Sequence, residues 1–96
     1  MTLHQARATL QSSASRPCEL LEAAGTVASE PSSTLDDLML GLRYWGPIAE
    51  ASALALYRRT GRPIPADPNV FVTAEDDWIR WLQERGLLAA TGGSRV

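Results

Sequence analysis

The sequence contains no lysine, one cysteine and one histidine among its 96 residues. A single cysteine, Cys18, excludes a disulfide bond within the chain. Cys18 and His4 together are too few to complete a four-ligand zinc shell, and no acidic segment has the spacing of a calcium-binding loop. We therefore expect neither a metal site nor any other cofactor.

Long apolar runs and phosphate-binding glycine loops are also missing. The longest apolar-rich stretch, residues 48–57, is interrupted by Glu50 and Ser52, and it is far shorter than the ~20 residues that span a bilayer. The sequence therefore predicts no membrane segment. We expect a cytoplasmic protein, and the Ala-, Arg-, Gly- and Pro-rich composition favours a bacterial source.

The composition that is present is that of one globular domain. Hydrophobic residues make up 45% of the chain and the formal net charge is −2, which is typical of a folded protein rather than a disordered one. Residues 1–15 carry no acidic side chain, and we predict a flexible polar leader there, with a targeting peptide as the alternative. We assign residues 16–90 to one helical domain and residues 91–96 to a disordered tail.

Capping residues and apolar spacing predict the helices. A short helix at residues 3–11, capped by Thr2, has few apolar residues to bury. Longer helices are predicted at residues 17–28, 34–45, 47–60 and 74–85, with Thr34 and Thr73 as caps and Gly61 and Gly86 as helix endings. The helix at 47–60 is apolar nearly all round, which predicts a central position. Three prolines exclude a regular helix from residues 62–72. The predicted fold is all-α, a small irregular bundle of three to five helices with a proline-rich extended segment at 62–72.

The three tryptophans have two interpretations. Trp45, Trp78 and Trp81 lie on the apolar stripes of predicted helices, which favours a place in the core. Trp78 and Trp81, one helical turn apart, are alternatively an exposed anchor for a partner, because tryptophan is enriched at binding hot spots.

The missing catalytic groups favour a protein-interaction or accessory module without catalytic activity. Its partner is expected to be another protein, with a second copy of the chain as one candidate. The residues predicted to contact that partner are Trp78, Trp81, Phe71, Arg58, Arg59 and Arg62.

Two alternatives remain open. The helices that meet at Gly46 and Pro47 resemble a helix-turn-helix pair, the form of a nucleic-acid-binding transcriptional regulator. Nucleic acid is disfavoured as a partner, since the domain is acidic and the second helix begins without a base-reading side chain. The further alternative is a small enzyme that uses Glu50, the lone charge of an apolar helix, or Cys18 near a helix N-terminus.

Overall fold

A computed structural model describes residues 1–12 and 14–87, and it is helical without a strand in that part of the chain. The helices, in chain order, are α1 (Leu3–Gln11), α2 (Pro17–Ser29), α3 (Leu35–Met39), α4 (Gly46–Thr60) and α5 (Glu75–Glu84). Short 3₁₀ helices cover Leu40–Arg43 and Pro68–Val70. The predicted all-α bundle is confirmed, whereas the tail predicted at 91–96 lies outside the described residues.

Helix α1, which lies within the residues 1–15 predicted to be a leader, contributes buried residues to the core. The Thr2 hydroxyl accepts a hydrogen bond from the Gln5 backbone N–H, and the Gln5 side chain accepts one from the Thr2 N–H. Ala6 and Leu10 are buried where α1 packs on α2. The capping box and these buried residues stabilise a helix that is too short to be stable by itself.

Helix α2 packs between α1 and α4. Pro17 occupies its first turn, where a missing N–H costs no hydrogen bond. Its buried residues follow the predicted helical stripe and are Leu20, Ala23, Ala24 and Val27.

Helix α3 begins as predicted but ends early. The Thr34 hydroxyl accepts a hydrogen bond from the Asp37 N–H at 3.1 Å, and Asp37 accepts one from the Thr34 N–H at 2.9 Å. The helix was predicted to reach residue 45, yet it tightens into a 3₁₀ helix at Leu40. The 3₁₀ helix packs closely on α4, since a Cβ atom on Gly41 would lie 1.8 Å from Ser52 Oγ.

Helix α4 is the central helix, as its all-round apolar sequence predicts. It contacts α2, α3 and the Leu40–Arg43 turn, and it ends at Gly61, whose φ of 80° is left-handed. Beyond it, Val72 is fixed to the core by side chains: its N–H donates to the Tyr57 hydroxyl at 3.0 Å, and its carbonyl accepts the Trp78 indole N–H at 2.5 Å.

Helix α5 covers one side of Tyr57, the aromatic residue of α4. It begins after Ala74 without a side-chain cap, so the predicted cap at Thr73 is wrong. Trp78 and Leu82 are fully buried. The predicted glycine ending is confirmed, since Gly86 has a φ of 70° and the Leu87 N–H donates to the Leu82 carbonyl at 2.9 Å. No helix in the described residues is long and apolar enough to cross a membrane.

Candidate functional site

Trp45 lies exposed beside an apolar groove. Trp45 is 58% exposed, and the neighbouring Leu21 is 45% exposed. The two residues share a groove of about 220 Å³ between the starts of α2 and α4. We call this the Trp45 groove; its lining residues are Pro17, Cys18, Leu21, Trp45, Pro47 and Ile48.

The early end of α3 explains the exposure of Trp45. A continuous helix would place Trp45 on the same face as Leu38, two turns earlier. Instead, the 3₁₀ turn ends at Arg43, and Trp45 is extended, with φ −136° and ψ 166°. The Tyr44 ring packs edge-on against Trp45 at 5.9 Å between ring centroids, and its hydroxyl donates to the Leu10 carbonyl. Tyr44 thus fixes the backbone that carries the exposed indole.

Trp45 also lines a second pocket, of about 210 Å³. We call it the Glu50 pocket. Glu50 is half-buried, and no other acidic, basic or histidine side chain lines this pocket in the described part of the chain. The remaining lining residues are Tyr44, Trp45, Gly46, Ala49, Pro68, Asn69, Phe71 and Thr73.

Trp78, one of the residues predicted to contact a partner, lies in the core, the other position predicted for it. It is 0% exposed and packs edge-on against Tyr57 at 4.9 Å. Trp81 is half-buried and lies under the Arg85 guanidinium at 4.1 Å. Phe71 is also half-buried and packs on Tyr57, although one side of it lines the Glu50 pocket.

The three arginines predicted to contact a partner have different environments: Arg58 and Arg59 are exposed, and Arg62 is half-buried. Arg62 lies 4.7 Å from the Trp78 ring and 5.1 Å from the Trp81 ring, and its Nη2 atom is 3.7 Å from an Asp77 oxygen. The Nη1 atom of Arg62 is buried without a hydrogen-bond partner in the described structure. The faces of the Trp78 and Trp81 rings therefore supply the main contact of the guanidinium.

Arg59 is partly engaged as well, since its guanidinium donates to the backbone carbonyls of Ser33 and Glu30. Arg58 is exposed. Both line a wider groove of about 380 Å³ between α2 and α4, whose remaining lining residues are Ala28, Ala51, Leu54 and Ala55. Half of the lining residues described for this groove are alanines, and none of them is aromatic.

The described residues do not bring reactive groups together. No three His, Cys, Asp or Glu side chains among them lie close enough to hold a metal ion. Cys18 is exposed and lies in the apolar Trp45 groove, away from Glu50 in the other pocket. The arrangement at Trp45 is therefore suited to binding through apolar contact and hydrogen bonds.

The acidic side chain with a displaced pKa is Asp37, outside this region. Hydrogen bonds from Arg7 lower the pKa of the Asp37 carboxyl below its usual range, and the Thr34 backbone N–H adds to that effect, while burial opposes it. Asp37 holds α1 against α3 and is not part of a pocket that contains Trp45.

Comparison of the chain with protein-family models, with curated proteins and with solved structures finds no match.

Proposed function

We propose that this chain is a small protein-interaction module without catalytic activity, and that it binds a partner protein through the Trp45 groove. The observation that carries the proposal is the exposure of Trp45 next to Leu21. Burial of apolar surface contributes about 25 cal/mol per Å², and tryptophan is among the residues that dominate binding energy at interfaces.

The groove has the rigidity that favours binding. Pro17 and Pro47 stand at the starts of α2 and α4, and each fixes its backbone φ angle. Tyr44 is held by its hydrogen bond to α1. Because these residues are already ordered, binding of a partner over Trp45 costs little conformational entropy in the groove.

Affinity capture tests the proposal with matched bait proteins. Wild type, Trp45→Ala and Ile64→Ala are compared in extracts of cells that produce the chain; Ile64 is an exposed apolar residue outside the groove. We expect a protein that wild type and Ile64→Ala retain in near-stoichiometric amount and that Trp45→Ala loses. Equal capture by all three baits would refute a binding site at Trp45.

Self-association is the version in which the partner is a second copy. Sedimentation equilibrium of wild type and Trp45→Ala at high concentration tests it directly. A dimer that Trp45→Ala dissociates identifies the second copy as a partner, whereas a monomer in both proteins leaves a heterologous partner.

Nucleic-acid binding receives less support, because Arg62 packs on aromatic rings and Arg59 donates hydrogen bonds to backbone carbonyls.

We propose the bacterial cytoplasm as the place of action, in keeping with the exposed, unpaired Cys18.

A further inference from the structure

We infer that the partner presents a cationic side chain, arginine above all, which enters the Glu50 pocket while a neighbouring apolar side chain fills the Trp45 groove. This inference rests on the proposed function and specifies the chemistry of the bound segment.

Glu50 differs from the other buried or half-buried acidic residues, each of which has a polar partner. Asp37 pairs with Arg7, Glu75 with Arg43, and Asp77 with Arg62. The Glu30 carboxylate has no cation, but it accepts hydrogen bonds from the Ser32 backbone N–H and hydroxyl. Glu50 has no ion pair or hydrogen bond within the described residues, although it is half-buried at the edge of a pocket.

A half-buried carboxylate without a cation attracts one. Water screens such a charge less than it screens a fully exposed one, and the local charge is not cancelled, because no arginine lines the Glu50 pocket or the Trp45 groove. Charge complementarity therefore favours a basic segment over a neutral or acidic one.

The other lining groups favour arginine among the cations. A guanidinium has five N–H donors, and the pocket offers the Glu50 carboxylate together with the side-chain oxygens of Asn69 and Thr73. Guanidinium groups also stack on aromatic faces, with tryptophan the most favourable, and Trp45 lies at the same pocket. The protein already uses this contact internally, where Arg62 packs on Trp78.

The two pockets constrain the spacing between the apolar and the cationic side chain of the ligand. Trp45 lines both pockets, so the two ligand side chains would lie next to the same indole. An extended segment advances about 3.3 Å per residue. The apolar and cationic side chains should therefore be close in sequence, separated by a few residues.

Synthetic peptides test this inference with the full-length chain. Each acetylated and amidated peptide contains one leucine and one arginine, separated by roughly one to four glycine residues, a range that brackets the expected spacing. Matched peptides replace arginine with glutamine. The reporter is the Trp45 indole N–H signal in ¹H–¹⁵N NMR spectra, assigned by its loss in Trp45→Phe.

We expect an arginine peptide to shift the Trp45 signal at millimolar or lower concentration. Replacement of its arginine by glutamine, or Glu50→Gln in the protein, should weaken binding about tenfold, the effect of losing a charge-assisted hydrogen bond. Combining the two changes should add little, because both remove the same contact. Glu22→Gln, an exposed acid outside both pockets, should bind like wild type.

The inference is overturned if arginine and glutamine peptides bind equally, or if no arginine peptide moves the Trp45 signal. Capture with Glu50→Gln as bait separates this failure from failure of the proposed function. A partner that Trp45→Ala loses but Glu50→Gln retains fully leaves the Trp45 interaction standing and removes the cationic anchor.

Discussion

Arg7 and Asp37 join the first helix to the third through two parallel hydrogen bonds. Arg7 Nε lies 2.8 Å from Asp37 Oδ1, and Arg7 Nη2 lies 2.7 Å from Oδ2. Asp37 Oδ2 also accepts the Thr34 N–H. One carboxylate thus closes the capping box of α3 and binds α1, which lies thirty residues earlier in the chain.

Asp37 should make folding stability depend on pH in the acid range. Since the Asp37 pKa is lower in the folded protein than the ordinary value of 3.8, the ionised carboxylate stabilises the fold. Its contribution is complete above that value and is lost as pH falls through the lowered pKa. Denaturant unfolding should show a difference between wild type and Asp37→Asn at neutral pH that shrinks below about pH 4. Asp36→Asn, at an exposed neighbouring acid, is the control; a difference that is constant with pH would contradict the assignment.

Leu10 and Leu21 are a matched pair for the role of α1. Leu10 is buried and Leu21 is exposed, so Leu10→Ala should lower the free energy of unfolding by about 2–5 kcal/mol, and Leu21→Ala by less than about 0.5 kcal/mol. Urea denaturation measures both values. Equal, small effects of the two substitutions would show that residues 1–15 lie outside the core, as the predicted leader does.

Gly41 and Gly25 form a second matched pair. Alanine at Gly41 would bring its Cβ against Ser52 Oγ, whereas a Cβ on Gly25 meets nothing within 4 Å. Gly41→Ala should cost about 1–3 kcal/mol through overpacking. Gly25→Ala, inside α2, should stabilise by about 0.5–1 kcal/mol. Thermal unfolding separates the two, and Ser52→Ala should relieve part of the Gly41→Ala penalty.

Arg62 should contribute to stability where Arg58 does not. Arg62→Ala removes a guanidinium that contacts two indole rings and Asp77, with an expected loss of about 1–2 kcal/mol. Arg58→Ala, at an exposed position, should change the free energy of unfolding by less than about 0.5 kcal/mol. Equal losses in chemical denaturation would show that the ring contacts of Arg62 are without consequence.

Native-state fluorescence should separate the tryptophans. Acrylamide reaches exposed indoles, so Trp45→Phe should remove most of the quenchable emission, while Trp78→Phe should leave it in place. Trp45→Phe should also largely preserve the unfolding midpoint, since more than half of the residue is exposed and phenylalanine keeps an aromatic ring there. Quenching that is unchanged in Trp45→Phe would contradict the exposed position of this residue and weaken the proposed binding site.

Local signals in the sequence predicted much of the fold. Thr34 has a hydroxyl and an acid three residues later, and the structure has that capping box. Gly61 and Gly86 were predicted as helix endings, and both have positive φ angles. These features depend on neighbouring residues, which is why the sequence alone reveals them.

The candidate site depends on distant contacts, and the sequence did not reveal it. The apolar stripe predicted Trp45 in the core, but the regular helix ends at Met39, before that residue, where Gly41 packs closely on Ser52 of α4. The burial of Trp78 likewise involves a distant residue, Tyr57 in α4. Gly41, inside the helix predicted at 34–45, was the available signal, since glycine permits another helix to come close.

The segment between Arg62 and Val72 begins and ends at the same pair of rings. Arg62 lies against Tyr57 and Trp78, and Val72 is hydrogen-bonded to both side chains. The backbone between them is therefore a loop whose two ends are held close together, and residues 66–70 within it are exposed. Doubling the length of such a loop costs only about 0.6 kcal/mol. We therefore expect residues 66–70 to tolerate inserted sequence, such as an epitope or a fused domain, without disturbance of the core.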